Sequence, residues 1–450
     1  MKKTLFLLAA LILTFNVGIC QTYVSGGIYS NTTWTQANSP YIVTGTVVVF
    51  PNVTLAIEPG VEVRFDNSTY LEIRHGILNA IGNYPDSIIF TSNSAAPFSG
   101  IWEGIGFRDS SVININYCIF KYSTTALNPV FVPYAPYTVI KNSSFFYNET
   151  AIGEHIPSCI IDSCSFISNQ SGINSYIKVA NCFFLNNTYG INLCFGIDPG
   201  SIKNCTFCSN YIGCYDADTL INCIFSQNQI GLISQFRYLK NNIFMENDTA
   251  LYCSINSTDS MVGNSIYNNQ IGILLDYNYS TTTVFNNNIC KNLLYNVKYT
   301  QAPNNVLSNN CWCETDSSAI ADLIYDGYDN VSLGLIDFTP YIICDSTALP
   351  DTTISCSSLP TEINYIPSDH IVPKIYPNPF ENYATFEFYN PNKETHHLLI
   401  YNVFGQLVLS IYNITTKQAK IERGNLTDGF YFFQLQTNRQ VIATGKFIIE

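Results

Sequence analysis

VANCFFLNNTYGI (179–191), IKNCTFCSNYIGC (202–214) and LINCIFSQNQIGL (220–232) are three copies of one template. Around the central Phe184, Phe207 and Phe225, each has an apolar residue at −5, Asn at −3, Cys at −2, Asn at +3, Gly at +6 and an apolar residue at +7. Working outward, ten copies fit, centred on Phe120, Phe145, Phe166, Phe184, Phe207, Phe225, Phe244, Tyr267, Cys290 and Trp312 and spaced 18 to 25 residues apart. A recurring unit of this size with no 3.6-residue period indicates one coil of a parallel β-helix rather than a helical repeat. Offsets −5 and 0 have opposite parity, so one straight strand cannot turn both inward and a corner must lie between them. The spacing can vary because an insertion bulges from a corner while its neighbours stay stacked.

Asn142, Asn181, Asn204, Asn222, Asn241, Asn264, Asn287 and Asn309 recur at −3. This column is expected to be an internal ladder at a left-handed bend, each amide bonding its counterpart about 4.8 Å along the stack. A second Asn column (Asn148, Asn169, Asn187, Asn210, Asn228, Asn247) precedes the Gly/Ala bend, and satisfying turns explains both columns better than ligand binding. Cys118, Cys164, Cys182, Cys205 and Cys223 stand at −2, where stacked small side chains account for them as thiols or as occasional disulfides. No cysteine neighbours a histidine in the body, and no C-x2-C pair recurs at zinc spacing, which argues against a catalytic thiol or a sulfur-bound metal.

The ends of the chain read differently. Lys2-Lys3, the apolar run 5–12 and Gly18-Ile19-Cys20 form a signal peptide over residues 1–20, cleaved near Cys20–Gln21. No later apolar run reaches the roughly 18 residues of a membrane span. The segment 358–372 is a Ser/Pro-containing linker, and residues 373–450 carry short alternating runs such as Ala384-Thr385-Phe386-Glu387-Phe388, the pattern of a small Ig-like antiparallel β-sandwich. Its ordered motifs, Tyr376-Pro377-Asn378-Pro379, Tyr401 to Gly405, Gly429-Phe430-Tyr431 and Gly445-Lys446, resemble the type IX secretion C-terminal sorting domain of Bacteroidota. That resemblance implies the type IX machinery as partner, passage through the periplasm, and a secreted or outer-cell-surface location.

Within residues 21–357, Glu58-Pro59-Gly60, Ile101-Trp102-Glu103-Gly104-Ile105 and the closing Asn310-Cys311-Trp312 resemble pectate-lyase-like (pectin lyase-like) β-helix proteins. The expected fold is therefore all-β: a right-handed single-stranded parallel β-helix of about fifteen coils, then the sandwich. The formal charge of −13 repels nucleic-acid phosphates and anionic membrane surfaces, so neither is an expected partner. The 11 Lys+Arg against 25 Asp+Glu of residues 21–360 also repel an acidic polymer unless a metal intervenes.

No converged catalytic set can be assembled from the sequence. Glu154, His155 and Asp162 are the candidate acid/base group, because they alone mix an imidazole with carboxylates. Glu72, Arg74 and His75 read as a solvent-facing row. Asp216 with Asp218, and Asp326 with Asp329, are the candidate sites for a structural Ca2+, the sole cofactor considered; solvated or capping turn residues are the plainer reading. Tyr147, Tyr189, Tyr211 and Tyr215 fall near turns, where rings could stack on sugars. The function expected is a non-enzymatic glycan-binding or adhesive surface module. The alternatives are a carbohydrate-active enzyme, lyase or glycoside hydrolase, and a structural spacer.

Overall fold

The computed structural model describes residues 21–450 except 109, 130–137, 155–158, 176, 193–200, 235–237, 254–259, 277–282, 345–355, 357–372, 389, 391–392, 394, 403–406, 425 and 438–440. The expected signal peptide (1–20), the expected linker (358–372), His155 and Gly405 thus lie outside the described residues. The chain divides into a unit ending at Cys356 and a unit beginning at Ser357.

The first unit is a parallel β-solenoid with three faces per coil. In one coil the first face is Ser144–Phe146, the second Thr150–Ile152 and the third Cys159–Asp162. First- and second-face strands belong to one 25-stranded sheet, and the third face is a sheet of twelve strands, fewer coils than the fifteen expected. The centres of the template face inward and stack. Phe90, Phe120, Phe145, Phe166, Phe184, Phe207, Phe225 and Phe244 form a column with ring centroids 4.5 to 5.0 Å apart. Offset-parallel rings at one coil spacing add to the burial energy of each side chain. The Gly/Ala at +6 is required by this column: a Cβ at Gly190 would run into the carbonyl of Gly213 and the ring of Phe207.

From Thr138 to Leu275 two corners per coil have fixed length, whereas the first-to-second corner runs to nine residues (93–101) in an earlier coil and takes four (291–294) in a later one. The third-to-first corner takes two residues, as between Lys141 and Ser144, and the first-to-second corner takes three, as between Phe146 and Thr150. Each uses a left-handed residue followed by an inward one. At the first corner Asn142, Ser163, Asn181, Asn204, Asn222 and Asn241 have φ between 47° and 56°. At the second, Tyr147, Ser168, Asn186, Ser209, Gln227 and Glu246 have φ between 52° and 58°. Asn tolerates this region best among non-glycine residues. The second-to-third connection absorbs the variable spacing, running from three residues (216–218) to eight (193–200).

The two Asn columns exchange the roles expected of them. The −3 column is the left-handed corner residue and faces outward, in an exposed chain in which Asn222 Nδ2 donates to Asn204 Oδ1 at 3.4 Å and Asn204 Nδ2 to Asn181 Oδ1 at 3.3 Å. The internal ladder is the second column. Asn148, Asn169, Asn187, Asn210, Asn228, Asn247 and Asn269 are each at most 2% exposed, and each backbone N–H and Nδ2 donates to the Oδ1 of the next at 2.8 to 3.1 Å. Each of these seven buried amides thereby has an acceptor for its backbone N–H and its Nδ2.

A second correction concerns register. Phe244 pairs with Ile266 and Ile266 with Ile289, whereas Tyr267 and Cys290 continue the outward-pointing position of Met245. In these coils Gly263 and Asn286 hold the left-handed corner, so Asn264 and Asn287 point inward. A one-residue slip reverses every side chain, which is why Val262 and Phe285, expected inside, are replaced there by Met261 and Val284.

The −2 position is therefore an inner column of Cys118, Ser143, Cys164, Cys182, Cys205 and Cys223, continued by Asn242, Asn264, Asn287 and Asn310. All five cysteines are buried free thiols. Burial raises the pKa of Cys118, as it does for Cys159 and Cys214 elsewhere in the core, which holds them as inert thiols. The disulfides form elsewhere, Cys208–Cys356, Cys290–Cys313 and Cys311–Cys344.

The second unit is an antiparallel β-sandwich of a three-stranded and a four-stranded sheet. Phe386, Phe433, Leu398, Ile400 and Phe447 fill its core. Gly429, at φ 145°, opens the strand Gly429–Gln436.

Candidate functional site

The second face carries two adjacent columns on its outer side, the first of them covered at Ser171 and Ile212, which are 7% and 6% exposed. In one, Thr125, Thr150, Ser171, Tyr189, Ile212, Ile230, Thr249, Ile271 and Tyr295 succeed one another coil by coil. In the other run Asn192, Tyr215, Ile233, Tyr252, Leu274, Lys298 and Tyr325. Tyr215 is 42% exposed, while Tyr189, Ile233, Tyr252, Leu274, Tyr295 and Tyr325 are half-buried. Lys298 is the one charged residue in these columns, and its ammonium lies 5.6 Å from the Tyr325 ring centre. Tyr252 donates to Asp276 at 2.8 Å, and a bond from Thr300 and then this one hold the Asp276 carboxyl below its usual range. The coils thus repeat an aromatic and aliphatic strip at a spacing of about 4.8 Å.

Of the four tyrosines singled out in the sequence, Tyr189 and Tyr215 lie on this strip and Tyr211, 51% exposed, precedes its edge at Ile212. Tyr147 does not join them. It is a left-handed corner residue, stacked on Tyr122 at 5.7 Å. Tyr252, Tyr295 and Tyr325 were missed, because register and not local sequence aligns them with Tyr215.

Of the acid/base candidates, Glu154 and Asp162 are among the described residues and His155 is not. Glu154 follows a second-face strand and accepts from Asn174 Nδ2 at 3.2 Å. Asp162 ends a third-face strand and accepts from Asn181 Nδ2 at 2.8 Å, as the first member of the outer amide chain. For the cation candidates, Asp216 and Asp218 flank the buried Ala217 at the tight third corner. Asp326 is 3% exposed, and its two oxygens accept from the backbone N–H of Tyr328 and Ile336 at 2.9 and 2.8 Å, while Asp329 accepts from the N–H of Asp326 at 3.0 Å. These bonds shape the closing loop.

Glu72 departs from the solvent-facing row expected of it. Its side chain is 5% exposed, held by Arg74 at 2.8 Å and Arg108 at 2.5 Å, and its neighbour in the next coil is Gly106, which leaves room for the guanidinium groups. Arg108 lies 36 residues away, so no local pattern could disclose the pairing. Hydrogen bonds from Arg74 and then Arg108 hold the Glu72 carboxyl below its ordinary value. A depressed folded pKa contributes stability that is full above the unfolded value near 4.3 and is lost as pH falls through the lower folded value. Glu72→Gln is expected to destabilise the first coils by about 1–3 kcal/mol at neutral pH. Denaturant melts at pH 7 and pH 3 check this, since the gap from the parent protein should shrink in acid.

In the C-terminal unit, the sorting-motif residues are tied in within each sheet, and Asn378 links the two sheets. The Tyr376 hydroxyl donates to Glu387 at 2.8 Å, Asn378 Oδ1 accepts from the N–H of Ile448 at 2.9 Å, and Pro377 and Pro379 follow cis peptides. Gly445 and Lys446 pair with Phe433 and Phe432 across the last two strands.

Among solved structures, the Azotobacter vinelandii mannuronan C-5 epimerase AlgE6 A-module aligns over 72% of this chain and 88% of its own, at 9% identity and a TM-score of 0.21, too low a score for any inference. No curated protein matches the chain. Residues 374–450 match the family of secretion system C-terminal sorting domains. The C-terminal unit is thus a type IX secretion sorting domain, which implies export of the chain to the cell surface or the medium.

Proposed function

We propose that the solenoid is a non-catalytic module that binds a neutral, extended polysaccharide along its second face. The observation that carries this reading is the pair of outward columns from Tyr189 to Tyr295 and from Tyr215 to Tyr325, an aromatic and aliphatic strip with a single charge. In the second column Tyr215 and Tyr252 stand two coils apart and Tyr252 and Tyr325 three, with Ile233 and Leu274 between them, rings on which sugar faces can stack, and the acidic balance of the solenoid disfavours uronate polymers.

Affinity electrophoresis of the full chain through gels containing neutral or acidic polysaccharides, with and without Ca2+, tests this. Retardation by a neutral polymer is expected, with Tyr215→Ala plus Tyr252→Ala weakening it by at least about tenfold. Release of oligosaccharide from any polymer would refute the non-catalytic reading.

A further inference from the structure

We infer that the secretion machinery recognises the sorting domain through the outer face of its four-stranded sheet, and that the partner is a protein presenting an apolar surface. A sheet with one face on the core and one in water alternates apolar and polar residues. The strand Gly429–Gln436 does not: Tyr431 and Phe433 face the core, and Phe430 and Phe432 face outward, 53% and 47% exposed. Leu407, Tyr401 and Phe432 form a row across three strands, and Phe430 lies opposite Ile448. Leu407 is 51% exposed.

Folding does not require these side chains, since the core is filled by others. The outer face of the three-stranded sheet provides the contrast. It carries the Lys420–Glu422 pair at 2.8 Å, the Tyr376–Glu387 bond and the Lys420 ammonium over Tyr383 at 4.5 Å, the pattern of a solvated surface. Two sheets of one small domain thus differ in what they offer, and contiguous exposed apolar side chains mark partner surfaces. The family match identifies the partner as a component of a secretion system. Aromatic anchors of this kind supply most of the energy of a protein interface. This inference is independent of any glycan.

The test expresses the full chain in a bacterium carrying this secretion system and compares Phe430→Ser plus Phe432→Ser with Lys420→Ser plus Glu422→Ser. The first pair should lower the amount outside the cell by at least about tenfold with accumulation in the periplasm, and the second should leave it within about twofold. Thermal melts of each purified chain check folding, and Leu407→Asp, at an exposed position on an edge strand, gives a second variant of the same face. Normal export of folded variants of the aromatic face, or equal loss from both faces, would overturn the inference.

Discussion

Asn210→Ala should lower stability by about 3–5 kcal/mol, whereas Asn204→Ala, in the other Asn column of the same coil, should lose only about 1 kcal/mol. Removing the Asn210 amide leaves the backbone N–H and Nδ2 of Asn187 without their acceptor inside a dry core, and leaves the Phe184 carbonyl without its donor. Each orphaned buried group forfeits its full desolvation energy. Asn204 is exposed, so its substitution costs mainly the strain of alanine at φ 53° and two weak outer bonds. Denaturant midpoints give the comparison. Because a solenoid can unravel coil by coil, hydrogen exchange at the amides of 187 and 228 should report the same difference locally.

The second large effect is expected at Cys208–Cys356, which closes a loop across 148 positions. Cys356 packs with Ile167, Leu185 and Cys208 on the outer side of the first face. In the chain-entropy account, a loop of this length stabilises by about 5 kcal/mol by restricting the unfolded chain. The bridge spans several coils, so it also prevents the coils beyond 208 from fraying independently. Cys356→Ser should lower the unfolding free energy by about 5 kcal/mol, read as a lower denaturation midpoint, and open the C-terminal coils to limited proteolysis; an unchanged midpoint would show that the stack alone supports them.

The period and the inward Phe column were legible because a core position in a stacked repeat tolerates few residue types. Which Asn column lies inside was not. A corner uses a left-handed residue and then an inward one, so Asn142 and Asn148 read alike although one needs φ near +50° and the other needs two hydrogen-bond partners. The useful hint lay beside them. The positions preceding the inner ladder vary freely among Tyr147, Ser168, Ser209, Gln227 and Glu246, as an exposed corner can, while the ladder itself stays Asn. Cys290 reads one residue late because Asn286 and Asn287 offer two equivalent corners in succession, and Tyr267 because Gly263 takes the corner that Asn holds in earlier coils. The second-face strip was half legible, through Tyr189 and Tyr215, since its other members are brought into line only by the register of successive coils. Glu72 was not, because its partner Arg108 comes from a later coil.

The most direct test of the central claim is chemical footprinting of tyrosines with and without the polysaccharide that retards the chain. The account predicts that nitration of Tyr215, Tyr252 and Tyr325 falls on binding, while Tyr23 and Tyr29, at 67% and 73% exposure and off the strip, react as before. Unchanged reactivity along the strip, or protection confined to Tyr147 at its corner, would contradict it.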